Sequence, residues 1–157
     1  MRFIILSLLA LAAPLFGSSL KTYTMAEALA AIRQVETGGE PDGGIGAVGD
    51  NGHAVGPFQI WMAYHFDAAE RDSSLKNYKD CLTSLDYSER VVKAYMGRYA
   101  KAEAKRLRAG LGTLADVEKV ARIHNGGPKG HRKKATVGYW RKDKAQDEIL
   151  RKIEENK

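Results

Sequence analysis

Apolar residues Met25, Leu29 and Ile32 recur at spacings of four and three, and Glu36 follows four residues later on the same helical face. Thr24 and Glu27 make a capping-box pattern where this run begins, and Thr37-Gly38-Gly39 stops it. The pattern predicts an amphipathic helix over residues 25–36 with a carboxyl group in line with its buried stripe. Such a place favours a neutral acid, because burial penalises charge. The plainer alternative is a solvated terminal glutamate.

Beyond Gly39 the helical period is lost. Residues 40–56 are dense in glycine, and Asp50-Asn51-Gly52 is a turn signal between the short apolar pieces 45–48 and 54–55. A small irregular hairpin is predicted. Pro57 suits the first position of a helix continuing through Phe58, Ile60, Trp61 and Tyr64. Residues 65–82 are polar and poorly periodic, which predicts loop with one helical turn at most. Asp86 and Glu89 make a second capping-box pattern and open a long helix over residues 86–109. Val92, Tyr95, Met96, Tyr99 and Leu107 form its inner side, and Lys101, Lys105, Arg106 and Arg108 complement its C-terminal dipole.

After a glycine break at 110–112, a helix over residues 113–125 puts Leu114, Val117, Ala121 and His124 on one face, and Gly126-Gly127-Pro128 ends it. A final helix, residues 136–155, begins with Val137 and Trp140 inside and becomes strongly charged past Lys142. Helices around one small hairpin, lying between the first two of them, predict an α+β class, mainly α. The chain has 157 residues, one domain's worth.

The start of the chain stands apart. Arg2 precedes a nearly unbroken apolar run over residues 3–16, and Gly17-Ser18-Ser19 offers the small residues of a cleavage site. Residues 1–19 are therefore expected to be a signal peptide and residues 20–157 one mature domain, with 143–157 a peripheral charged tail. The destination is secreted or periplasmic. An uncleaved anchor is the alternative, but the run is short and broken by Pro14, so stable membrane insertion after cleavage is not expected. Net charge is +6. An exported basic protein is drawn to anionic polymers, cell walls among them, and charge alone does not choose between these. The lone Cys81 closes no internal disulfide, so packing must hold the fold. A buried thiol is favoured over an intermolecular bridge.

Three segments together resemble the invertebrate-type, destabilase-like lysozymes: Val35-Glu36-Thr37-Gly38, then Gly56-Pro57-Phe58-Gln59-Ile60, and residues 121–130 (Ala-Arg-Ile-His-Asn-Gly-Gly-Pro-Lys-Gly) continuing to Gly138-Tyr139-Trp140. The segment over residues 92–99 is similar to that family's long central helix. The resemblance covers residues 31–140 and implies a lysozyme-like fold. It further implies that Glu36 is the general acid and Asp50 the second carboxylate of a glycoside hydrolase cutting the β-1,4 bond between N-acetylmuramic acid and N-acetylglucosamine in peptidoglycan. Two carboxyl groups in unlike surroundings suit that chemistry, one to give a proton and one to stay charged. Asp42, in the same loop, competes with Asp50 for the second role.

The family is usually rich in disulfides, and this chain points to a divergent, cysteine-poor branch, for which a bacterial source is one reading. Some members are credited with cutting glutamyl-lysine isopeptide bonds through a serine and a lysine, and Ala54 and Trp61 stand at those positions here. Without a hydroxyl nucleophile and its amine base that activity has no chemistry.

Gln59, Tyr64, His124 and Asn125 are the candidates for binding sugar, since amide hydrogen bonds and aromatic faces hold saccharides. His124 serves equally well as a structural cap for the Gly-Gly turn. Trp61 and Trp140 are read as core aromatics. Lys129, Arg132, Lys133 and Lys134 form a basic loop, either a plain solvated surface or a contact with the anionic wall. No cofactor is expected, and no metal, because no third ligand completes a spacing with His124 and His131. The expected partner is the peptidoglycan glycan strand, met by a monomer with no specific nucleic-acid motif. A lytic transglycosylase and a non-catalytic peptidoglycan-binding module are the alternatives.

Overall fold

The computed structural model describes residues 21–38 and 42–141. The expected leader and the charged tail lie outside them. Helix α1, Met25–Thr37, begins as its capping box requires: the Thr24 hydroxyl accepts from the Glu27 amide at 3.2 Å, and the Glu27 carboxylate accepts from the Thr24 amide at 2.6 Å. Gly38 ends it at φ 67°, where its amide donates to the Gln34 carbonyl. Met25, Ala28, Leu29 and Ile32 are buried, so the stripe predicted from spacing is the one that packs.

Three two-residue strands follow, β1 Val48–Gly49, β2 Ala54–Val55 and β3 Ile60–Trp61, joined as an antiparallel meander. The register pairs Gly49 with Ala54 and Ala54 with Trp61, and Val48 with Val55 and Val55 with Ile60. A helix starting at Pro57 is not what forms. The Gln59 amide donates to the Gly56 carbonyl at 3.0 Å and its side-chain amide reaches the same oxygen at 3.0 Å, closing a turn that feeds β3. Helix α2 starts only at Met62 and runs to Ala69, further than predicted.

After α3, Asp80–Thr83, the predicted long helix is two: α4 Leu85–Tyr99 and α5 Lys101–Arg108. The break is at Ala100, which leaves helical geometry at φ −135° and ψ 45° yet keeps a bond on each side, its amide to Met96 and its carbonyl from Ala104. No proline marks it in the sequence. The cap of α4 also differs, because Ser84 accepts from the Tyr87 amide while Ser88 is buried and donates to the Cys81 carbonyl at 2.8 Å. Cys81 is fully buried, and desolvation pushes its thiol up to about 12.

Helices α6, Leu114–Gly126, and α7, Lys134–Arg141, complete the bundle. Phe58, Leu29, Ile32, Ile60, Leu75, Met96, Leu107 and Ile123 are among the large apolar side chains fully buried in one core. Among the described residues no helix is long and apolar enough to cross a membrane.

Two polar links tie α5 to α6: Lys119 donates to Glu103 at 2.7 Å, and Arg106 pairs with Asp116. Arg106 grips the Asp116 carboxylate with two bonds, of 2.9 and 2.5 Å, and the Thr113 amide adds a third at 2.8 Å. Chiefly through the arginine, Asp116 is lowered to about 2. A carboxyl group lowered on folding contributes stability above its unfolded pKa and loses it as pH falls through the folded value. Asp116→Asn should therefore cost about 2 kcal/mol at pH 6, less than a fully buried pair because Arg106 is half exposed. Denaturant melts should show that deficit fading as pH falls from about 4 towards 2.

Candidate active site

Glu36 sits in the last turn of α1, where the helical period carries it onto the packed face, and its side chain is only 17% exposed. Two groups from far along the chain approach its Oε1. Tyr139 on α7 donates its hydroxyl at 2.9 Å, and the Nε2 of His124 on α6 lies 3.6 Å away. Burial, and then the Glu36 charge, hold the Tyr139 phenol well above its ordinary value, so it remains a donor. Among the described residues, Oε2 of Glu36 carries no hydrogen bond, which leaves one carboxyl oxygen available for chemistry.

His124 is buried, and the network assigns its tautomer. Nε2 is 3.0 Å from the Phe58 carbonyl, an acceptor only, so Nε2 carries the proton and donates it. Nδ1 then accepts from the Tyr64 hydroxyl at 3.2 Å. Desolvation lowers the imidazole below its usual value, against the opposing pull of Glu36, and keeps it neutral near pH 7. His124 thus pins the Phe58 turn to α6 while one edge faces Glu36. Tyr64 is fixed in turn by stacking on Tyr95, with centroids 3.6 Å apart.

Asp50 is exposed at the tip of the β1–β2 hairpin, in a turn where it and Asn51 take left-handed backbone, φ 48° and 54°. Aspartate and asparagine tolerate that region better than other residues with a side chain. Gln59 takes it too, at φ 47°. Gly49 makes room for Gln59, since a Cβ there would collide with the Gln59 side-chain oxygen.

A cleft of about 250 Å³ brings these elements together. Glu36, Asp50, Gln59, Tyr64, His124 and Asn125 all line it, with Ala54 and Trp61. Asp42, also left-handed at φ 45°, is not among its lining residues. His131 lines a different hollow with Lys119 and Arg122. Among the described residues no group of three His, Cys, Asp or Glu side chains could hold a metal ion.

The places of Trp61 in the cleft and of Tyr139 on Glu36 were not expected from the sequence. Trp140 is buried at 6% exposure, but Trp61 is 47% exposed and not part of the core. The reason is the period: in a strand Ile60 faces in and Trp61 must face out, whereas a helical reading put both inside. Tyr139 reaches Glu36 across 103 positions of sequence, and no local pattern signals it.

A family profile described as Destabilase matches residues 26–145. "Lysozyme 1" of Crassostrea virginica is 39% identical over 121 residues, covering 76% of this chain and 58% of that protein. A lysozyme of Meretrix lusoria is 40% identical over 87 residues, 55% and 62% respectively. The chain therefore spans about three fifths of the length of these two molluscan relatives. It spans more, 84%, of "Invertebrate-type lysozyme 6" of Caenorhabditis elegans, at 34% identity over 76% of the chain. Among solved structures, the complex of Aeromonas hydrophila PliI with Meretrix lusoria lysozyme matches with a TM-score of 0.57 at 34% identity, covering 77% of this chain and 87% of that one. Tapes japonica lysozyme matches with a TM-score of 0.55 at 30% identity, covering 76% and 89%. With its helical fold and small sheet in agreement, the chain belongs to the Destabilase family of invertebrate-type lysozymes.

Proposed function

We propose that this cleft hydrolyses the β-1,4 bond between N-acetylmuramic acid and N-acetylglucosamine in peptidoglycan. The observation that carries the reading is the convergence of Glu36 and Asp50, from two different elements and two different environments, on one cleft. Glu36 protonates the leaving oxygen through the carboxyl oxygen that Tyr139 does not occupy. Asp50, exposed at the tip of the hairpin, attacks the anomeric carbon or stabilises its positive charge. Gln59 and Asn125 supply amide groups for the sugar. The leader-like residues 1–19 support export to the compartment where peptidoglycan lies, and the basic residues 129 and 132–134 support attraction to an anionic wall.

An isopeptide-cleaving reading has no footing in this cleft, because Ala54 offers no nucleophile where the resemblance requires a hydroxyl. The muramidase reading is tested on purified peptidoglycan, where the wild-type chain should release new reducing ends and Glu36→Gln should not.

Tyr139 orients the acid in this scheme. Tyr139→Phe removes one hydrogen bond and no packing volume of note, so turnover should fall about tenfold with KM nearly unchanged. A variant with unchanged turnover would show that Tyr139 only packs α7 on α1.

A further inference from the structure

Asn51 and Gly52 form the tip of the β1–β2 hairpin, and both are exposed. An asparagine followed by glycine is chemically labile, because the glycine nitrogen can reach the asparagine side-chain carbon and close a five-membered ring. Any other following residue hinders that approach with its β-carbon. The turn demands glycine here, since Gly52 sits at φ 92°. Beyond its chain neighbours, nothing lies within 4 Å of where a Gly52 Cβ would stand, so the attacking nitrogen is unscreened. Among the described residues, the Asn51 side-chain amide has no hydrogen-bond partner. Ring closure requires Asn51 to leave its left-handed conformation, φ 54° and ψ 33°, which a residue with a side chain holds at a cost. The strands behind the tip are two residues long, so little pairing opposes that opening.

A second asparagine–glycine pair, Asn125-Gly126, is held differently. Both residues lie in the last turn of α6, the Gly126 carbonyl accepts from the Lys133 ammonium at 2.7 Å, and a Cβ on Gly126 would collide with Thr136. Helical geometry and packing keep that pair closed to the same reaction. The exposed pair is also the one with neighbours on both sides in the cleft: Asp50 lines it, and His53 stacks on the Trp61 ring with centroids 5.5 Å apart. A change of main-chain length at residue 51 therefore moves Asp50, and a misplacement of about 1 Å can cost a reaction about a hundredfold.

We infer that Asn51 is a site of spontaneous deamidation, which switches the cleft off with time. The Gly52 nitrogen bonds to the Asn51 side-chain carbon, and the bond from that carbon to the amide nitrogen breaks. That nitrogen departs as ammonia, taking up a proton in place of the one the Gly52 nitrogen gives to solvent. One water then opens the succinimide at either carbonyl, leaving aspartate or isoaspartate and restoring the Gly52 N–H. The sum is asparagine and water to acid and ammonia. Both products place a new carboxylate beside Asp50, and isoaspartate also lengthens the main chain by one methylene. The loss of activity rests on the muramidase reading; the modification itself does not.

The experiment ages the purified full chain at neutral and at mildly alkaline pH and divides each sample between peptide mapping by mass spectrometry and release of reducing ends from peptidoglycan. Asn51 should convert to the heavier acid at least about tenfold faster than Asn125, and faster at the higher pH, where the attacking nitrogen loses its proton more readily. Chains carrying isoaspartate at 51 should keep less than about a tenth of the starting turnover, so activity should fall in step with that fraction. Asn51→Gly, which removes the amide and suits the positive φ, should hold its own starting activity over the same period. An intact Asn51 amide after ageing, or faster conversion at Asn125, would overturn the inference. Full activity in chains modified at 51, or equal loss in Asn51→Gly, would overturn it as well. Absence of reducing ends from the fresh wild-type chain would overturn the muramidase reading instead, while the peptide map still decides the fate of Asn51.

Discussion

Glu36→Gln is expected to reduce release of reducing ends from peptidoglycan by about a thousandfold or more, with circular dichroism and melting temperature close to wild type. The amide is nearly isosteric with the acid, and its oxygen can still accept from Tyr139. What it cannot do is give up a proton to the leaving oxygen. Because His124 is neutral, the glutamate is not one half of a buried ion pair, and its replacement leaves no stranded charge. A large fall in melting temperature would make Glu36 a structural residue. Retained cleavage would remove it from the chemistry altogether.

Asp50→Asn should lower turnover by a similar order, about a thousandfold, while Asp42→Asn leaves it within a factor of two. The two aspartates make a matched control. Both are exposed and both sit at positive φ in the same glycine-dense loop, so asparagine fits either backbone equally well. They differ in position: Asp50 lines the cleft with Glu36, and Asp42 does not. Loss of activity confined to Asp50→Asn therefore follows the carboxylate and not the loop. Equal losses at both positions would mean that loop conformation, and not a second carboxylate, limits the reaction.

Those features of the site that depend on local rules were legible in the sequence. The Thr24 capping box, the spacing from Met25 to Glu36 and the αL stop at Gly38 fixed the helix that carries the first carboxyl group. The Asp50-Asn51-Gly52 turn was legible for the same reason, since few residues accept left-handed backbone. The period from Val117 to His124 likewise placed His124 inside α6. Where two periods compete over a short stretch, the pattern failed. Residues 57–61 satisfy a helix start as well as a turn and strand, and only pairing to Ala54 and Val55 decides between them. That misreading is what hid Trp61. The kink at Ala100 and the Tyr139 bond to Glu36 were illegible because each depends on how helices pack, which no local pattern encodes.

The proposed hydrolysis uses two carboxyl groups. A lytic transglycosylase needs only an acid, because the substrate's own C6 hydroxyl can close on the anomeric carbon. Mass spectrometry of muropeptides from purified peptidoglycan separates the two outcomes, since a 1,6-anhydro product is lighter by one water. With Asp50 and Glu36 lining one cleft, wild-type digests should contain muropeptides with free reducing ends, and Asp50→Asn should all but abolish them. Predominantly anhydro products, or undiminished yield from Asp50→Asn, would contradict it and leave Glu36 working alone.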